Sequence, residues 1–517
     1  HDALPISADT VIQRNPYQLI EDIKGWGFFS VDQYVARRIN FQADSPLRIR
    51  AGLKYCLQEI LDSGDTYTDR GHLINQANKT LCLNTLDADK KIKNGINELL
   101  EQKQFIELDD GLISTPYLYN CEKYSCEQFA VYGQRSNPHI ELLANKDKDL
   151  NTILNKKGFG LNSSQKQALK AALKSSITVI TGSAGTGKTY TINAIAEAYQ
   201  HQGLRVSCCA FAGKAARRIT ELTGLKASTI HRLLGYNPQS ETFVYNQETP
   251  LETDLVIVDE TSMIDVTLMK RLLAAIDFEK TALILVGDHN QLPPVGPGHF
   301  FRDIIDSKCA PTIKLEQVVR STGTLKANAQ DILKGIVQPT AKPSHDPDNP
   351  QSDWYVLDDA LLGRDTAQAE YVKQQLLYII EHRISNLGFD FYRDCQVLTP
   401  VNKSGPLSVQ ALNEEIQRYV QKHYFDIDVP KRDDNKKKRD IFDTVFIGDK
   451  IIQTKNNYDL LVFNGTLGRI IDKYEKSRSL LVKFESGETC EIKGKRLKDL
   501  SLAYCLTVHK AQGSEFP

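Results

Sequence analysis

The segment Ile177–Thr189, ITVITGSAGTGKT, decides how the rest of the chain is read. Its first half is a short apolar, β-branched run, and its second half fits the pattern G-x-x-x-x-G-K-[ST]. Beyond it, Ile192, Ile195, Ala196 and Tyr199 recur at helical spacing. A strand feeding a glycine-rich turn at a helix N-terminus suits a phosphate, because backbone N–H groups converge there and the helix end adds positive potential. Gly182, Ser183, Ala184, Gly185, Thr186 and Gly187 would form the cradle. Lys188 would reach the β/γ-phosphates of ATP, and Thr189 would ligate Mg2+.

Working outward, apolar runs at 177–180, 205–210, 255–258 and 283–286 alternate with helical stretches long enough for crossovers. This predicts an α/β domain on a mainly parallel sheet over 158–310, with a second α/β region over 311–517. Two acids, Asp259 and Glu260, end the third run. Asp259 would hold the Mg2+ shell, and Glu260 would orient or deprotonate an attacking water. The fourth run leads into GDHNQLPP, which places Gln291 where strand ends bind ligands, able to sense a γ-phosphate or the water. Together these residues point to a nucleotide hydrolase.

The remaining sequence is less explicit. At 517 residues, with 41% hydrophobic and 25% charged residues, the chain reads as a multidomain globular protein. No run reaches the ~18 apolar residues of a membrane span. A net charge of −1 neither supports nor opposes nucleic-acid binding. The ten cysteines show no zinc spacing, and Cys208 and Cys209 lie in an apolar run as buried thiols. Residues 1–14 read as a leader outside the fold, and 145–157 as a polar linker. Residues 15–144 read as short helices followed by a winged-helix-like unit. Within them, Gly25 and Gly27 make a turn that is either a DNA contact or a helix junction. The basic stretch 431–440 reads as a solvated loop. Residues 236–254 form a candidate hairpin, and 467–502 carry short β-like runs.

DETSM at 259–263, GDHNQLPPVGPG at 287–298 and TVHKAQGSEFP at 507–517 resemble, in order and spacing, the motifs of RecD-like superfamily 1 DNA helicases. NPYQLIEDIKGWGF at 15–28 is similar to the helix-hairpin-helix extension of the members that act outside RecBCD. GDKIIQTKNNYDLLVFNGTLG at 448–468 resembles a further family segment. The resemblance implies two RecA-like motor domains, with 236–254 as a duplex-splitting pin and 467–502 as an SH3-like insertion. It implies Gln165 at the adenine edge, Arg320 at the γ-phosphate, and DNA contacts at Phe211, Gly213, Gly25, Gly27, Thr507 and His509. Motif Ia usually has Pro-Thr where this chain has Phe211-Ala212, and Ser321 follows Arg320 where a glutamine is usual. The family's last motif falls beyond Pro517, which predicts nucleotide binding with slow turnover. The activity implied is 5′→3′ movement on single-stranded DNA, opening duplex at a 5′ overhang in repair or recombination. A cytoplasmic monomer and a single-stranded DNA-binding protein partner are implied with it. The alternative is an ATP-gated DNA-binding module that grips and releases without unwinding.

Overall fold

The computed structural model describes residues 8–23, 25–144, 160–183, 185–237, 239–316, 324–337, 366–430, 440–455, 457, 460 and 462–512. The linker predicted at 145–157 lies outside them, as does nearly all of the basic stretch 431–440.

The N-terminal unit packs helices Pro46–Leu61, Arg70–Leu81 and Ala88–Glu101 beside three short antiparallel strands, β1 (Thr68–Asp69), β2 (Ile106–Glu107) and β3 (Leu112–Ser114), in the order β1-β3-β2. Leu53, Leu57, Leu73, Leu81, Ile92, Ile96 and Leu99 fill its core at helical spacing, as an amphipathic stripe requires. Within residues 1–14, read as a leader, Ala8–Arg14 forms a helix, and its Val11 carbonyl accepts from the Asn15 N–H at 2.8 Å.

A polar contact ties the glycine-bearing segment to this unit. Arg48 donates to both carboxylate oxygens of Asp32, at 2.7 and 3.0 Å, and to the carbonyls of Ala43 and Leu81. Tyr17 donates to the same carboxylate at 2.5 Å. All three residues are buried. Arg48→Met removes the cation and leaves a buried carboxylate with only the phenol. We expect it to destabilise this unit by about 3–5 kcal/mol, measured as the shift of its urea unfolding transition.

The central domain is a six-stranded sheet in the order β11-β4-β10-β9-β5-β6, and every pairing in it is parallel. The strands are β4 (Ile177–Gly182), β5 (Val206–Ala210), β6 (Ala227–Thr229), β9 (Leu255–Asp259), β10 (Ala282–Gly287) and β11 (Thr312–Leu315). β4, β9 and β10 are buried at every position, which explains their unbroken apolar runs: helices cover both faces. The domain boundary predicted at 310/311 is corrected. β11 pairs with β4 and completes the first sheet.

Two very short strands, β7 (Tyr236–Asn237) and β8 (Thr242–Phe243), pair as a hairpin at the start of the predicted 236–254 segment. In the second region, β12 (Val397–Thr399) pairs in parallel with β18 (Cys505–Thr507). A five-stranded antiparallel sheet, in the order β16-β15-β14-β13-β17, is inserted between them. Its strands are β13 (Lys450–Gln453), β14 (Leu467–Tyr474), β15 (Ser479–Phe484), β16 (Thr489–Lys493) and β17 (Leu500–Leu502). The insertion predicted at 467–502 therefore begins too late, because β13 is its fourth strand and pairs with both β14 and β17.

Candidate nucleotide and nucleic-acid site

Adjacent parallel strands bring their C-terminal ends together, so the turns after β4, β9 and β10 meet at one edge of the sheet. After β4 the chain turns through Gly185 and Gly187, both with positive φ, and enters helix Lys188–His201. Gly187 has a second constraint. A Cβ there would stand 2.5 Å from the Gln165 amide nitrogen. Gly182 is packed as closely, since a Cβ would meet the Thr186 hydroxyl at 2.7 Å. The loop is thus held in shape by its own contacts. Thr186 donates to the Ser183 carbonyl at 2.8 Å, and Lys188 Nζ donates to the Gly182 carbonyl at 2.8 Å. Thr189 sits in the first turn of the helix. Ala184, the remaining cradle residue, lies outside the described residues.

Gln165 is buried and has two jobs. Its carbonyl accepts from the Asn162 N–H at 3.0 Å, while Asn162 Oδ1 accepts from the Gln165 N–H at 2.9 Å, a reciprocal cap for helix Ser163–Lys174. Its amide reaches the Thr186 carbonyl at 3.4 Å. The residue expected at an adenine edge thus braces the phosphate loop.

Asp259 ends β9 and is buried; its Oδ1 accepts from the Glu260 N–H at 2.9 Å. Glu260 has a φ of 51°, in the left-handed region that costs a non-glycine residue energy. Its Oε2 is buried and has no hydrogen-bond partner among the described residues. Burial, and then the neighbouring Asp259 charge, pushes the Glu260 carboxyl up to about 7. Burial likewise raises Asp259, while Lys188 and Arg218 pull both acids the other way. An unpartnered buried carboxylate oxygen beside a second buried acid is a donor set that a hard divalent cation suits. The residues present therefore fit Mg2+.

After β10, the Asp288 carbonyl accepts from the Gln291 N–H at 3.1 Å, and His289 Nδ1 lies 2.8 Å from the Thr181 hydroxyl of β4. The Gln291 side-chain carbonyl accepts a hydrogen bond from Gln512 at 3.0 Å. Gln512 caps the helix Val508–Ala511 that follows β18, so this bond joins the two α/β regions. Gln512 stands in the same T-x-H-K-x-Q run as Thr507 and His509, and that run is the signal that marks it although it is not among the expected site residues. Thr507 caps the same helix by accepting from the Lys510 N–H at 3.2 Å, and His509 is exposed. Arg320 lies outside the described residues.

The expected nucleic-acid contacts are scattered. Phe211 is partly buried and packs on the core beneath β5. Gly213 is covered: a Cβ there would meet Phe463 at 2.4 Å. Next to it, Arg217 holds the Glu488 carboxylate through two contacts of 2.8 and 3.0 Å, so the inserted sheet sits on helix Gly213–Thr223. Phe463 stands in the 448–468 stretch that resembles a family segment, whereas no motif marks Arg217. Gly25 and Gly27 stand in an open turn, beside the exposed side chains of Ile23, Trp26 and Phe29. Replacing Gly213 by Ala together with Arg217 by Ala is expected to release the inserted sheet. Amide exchange at Phe463–Gly465 and Ser486–Glu488 should then quicken at least tenfold, with nucleotide affinity unchanged.

Residues 165–297 match an AAA domain family, residues 5–67 the HHH domain of ATP-dependent RecD2 DNA helicases, and residues 412–484 the SH3 domain of ATP-dependent RecD-like DNA helicases. The chain is 31% identical to the ATP-dependent RecD2 DNA helicase of Deinococcus radiodurans, over 96% of its own length and 64% of that protein's. It is 27% identical to the RecBCD enzyme subunit RecD of Mycolicibacterium smegmatis, over 68% of its own length and again 64% of the relative's. A Bacteroides Pif1 helicase solved with ADP-AlF3 and single-stranded DNA is a looser likeness, with 17% identity, 69% of this chain and 85% of that one covered, and a TM-score of 0.40. The chain spans about 64% of the length of each of the two curated relatives.

Proposed function

We propose that this chain, which belongs to the RecD-like helicases, is the motor portion of an ATP-dependent DNA helicase that moves 5′→3′ on single-stranded DNA. In that reading it opens duplex at a 5′ overhang, in repair or recombination. It works as a cytoplasmic monomer and meets its strand alongside a single-stranded DNA-binding protein.

The observation that carries the reading is the Gln512–Gln291 hydrogen bond, which links the second α/β region to the strand end beside the Asp259–Glu260 pair. Gly182–Gly187 cradle the phosphates, and Lys188 leaves the loop carbonyls to meet them. Thr189 and Asp259 would hold Mg2+, which neutralises charge building on the phosphate oxygens. Glu260, with its oxygen free of other partners, takes the proton of the attacking water. Gln291 senses whether the γ-phosphate is present, and through Gln512 the second region is drawn in or let go. Alternation between those two states, biased by the nucleotide, is what steps a strand gripped by both regions. Arg320 is the candidate to approach the γ-phosphate from the second region. Phe211, Gly213, Thr507, His509, Gly25 and Gly27 are the candidates to touch DNA, and Tyr236–Asp254 to split the duplex.

The test is ATP hydrolysis by the chain with and without oligo-dT, followed by strand separation on duplexes with a 5′ or a 3′ overhang. Slow hydrolysis that DNA stimulates, with opening of the 5′ substrate alone, is the expected result. Stimulation without opening of either substrate would replace the helicase reading by the ATP-gated DNA-binding module.

A further inference from the structure

The inserted antiparallel sheet carries a cluster of charge that the motor reading does not use. Lys450 stands directly opposite Arg469 across β13 and β14, and Arg469 stands directly opposite Lys483 across β14 and β15. Opposed residues on neighbouring strands share a face, so the three cations form a row with a strand spacing of about 4.8 Å. Like charges in that register repel and weaken a sheet. Lys450 and Arg469 nevertheless stay half-buried.

Their hydrogen-bond partners are neutral, and Glu485 and Asp390 act on Lys450 only through longer-range attraction. Lys450 Nζ donates to the Cys395 carbonyl at 3.0 Å, and Arg469 donates to the Tyr392 carbonyl at 3.1 Å. The Arg469 guanidinium lies 4.1 Å from the centre of the Tyr392 ring, and among the described residues the Tyr392 carbonyl is the one acceptor bonded to its five N–H donors. Among the described residues, no carboxylate forms an ion pair with any of the three cations. A cavity of about 390 Å³ opens beside the row, with Arg393 and Gln396 also on its wall. Among the described residues of its wall the acids are Asp394 and Glu485, against four cations, of which Arg393 lies 3.9 Å from Asp390.

The cavity is placed apart from the expected DNA contacts. Cys395 and Gln396 precede β12, whereas Thr507 and His509 lie at and beyond the far end of its parallel partner β18. The two sets therefore stand at opposite ends of that strand pair.

We propose that this cavity is a phosphate-ester site in which Lys450, Arg469 and Lys483 hold the phosphates of a bound molecule, supplying the negative charge that the row lacks. A row of donors one strand apart suits consecutive phosphates, as in a nucleic-acid backbone or a pyrophosphate. A planar guanidinium at its centre adds two-pronged recognition of each group. The proposal does not depend on the chain being a helicase.

The experiment uses the full chain carrying Lys188→Ala, so that the phosphate loop contributes little. Pyrophosphate and a labelled twelve-residue oligo-dT are titrated into it, and into versions that add Arg469→Met or Lys483→Glu. Lys483 is exposed, so its variant keeps the fold even if the Arg469 variant does not. Weakening of about tenfold or more in the Lys483→Glu chain is expected for at least one probe. For the oligonucleotide it should come with a salt dependence shallower by about one to two released ions. Loss of oligonucleotide binding assigns the site to a strand, and loss of pyrophosphate alone assigns it to a small phosphate ester. Unchanged affinity for both probes in the Lys483→Glu chain overturns the proposal.

Discussion

Replacing Lys188 by Ala is expected to lower ATP hydrolysis by about 10²–10³-fold or more, the usual effect of removing one preorganised charge from a transition state. The argument is geometric. Lys188 opens the helix Lys188–His201, and its ammonium rests on the carbonyls of Gly182 and Ser183 at 2.8 and 3.3 Å. Those are contacts to the loop's own backbone, which water replaces readily once the side chain is cut. The loop keeps its shape without them, because the Thr186–Ser183 bond and the Gln165 brace remain. Folding stability should therefore change by no more than about 3 kcal/mol, the upper range for hydrogen bonds made by a charged group. Steady-state hydrolysis and a thermal melt on the same sample separate the two effects. A large loss of stability would mean that Lys188 is a structural strut and that its distance to a phosphate cannot be read from this loop.

Most of this site could be read from the chain, and the reason lies in its chemistry. A phosphate cradle needs glycines at fixed spacing, an acid pair needs a strand end, and both leave residue-type signatures that survive without coordinates. β4, β5, β9 and β10 were equally legible, since a sheet covered on both faces writes itself as unbroken apolar runs. β11 was misplaced because TIKL is short, and nothing in it says which sheet it will join. β13 was missed for a similar reason: KIIQ is four residues long and pairs with β14 and β17, which lie 14 and 47 positions beyond its end. Contacts between regions left only half a trace, since Phe463 and Gln512 stand in family-like stretches that do not say what they meet. Phe463 over Gly213 and Gln512 against Gln291 depend on how separate bodies meet, and no local pattern encodes that.

Glu260→Gln should separate function from stability in opposite directions. Losing the carboxylate removes the proposed proton acceptor, so hydrolysis is expected to fall by about 10²–10⁴-fold while nucleotide still binds. Stability should move the other way. Burial and the Asp259 charge push the Glu260 carboxyl up to about 7, so the folded chain holds a proton that the unfolded chain releases at lower pH. Folding is therefore unpenalised below the ordinary glutamate range. The penalty grows as pH rises and is complete once the pH passes about 7. A neutral glutamine of the same shape escapes it. Measured in EDTA without nucleotide, the variant should be more stable than its parent at pH 8, by on the order of 3 kcal/mol. The difference should shrink to near zero at pH 4. Equal stability at both pH values would mean that the buried acid is already compensated in the free chain, and that its unpartnered oxygen is not what a cation and a water would satisfy. A strained, destabilised carboxylate that becomes stable only when the site is filled is the signature of a residue kept for chemistry rather than for folding.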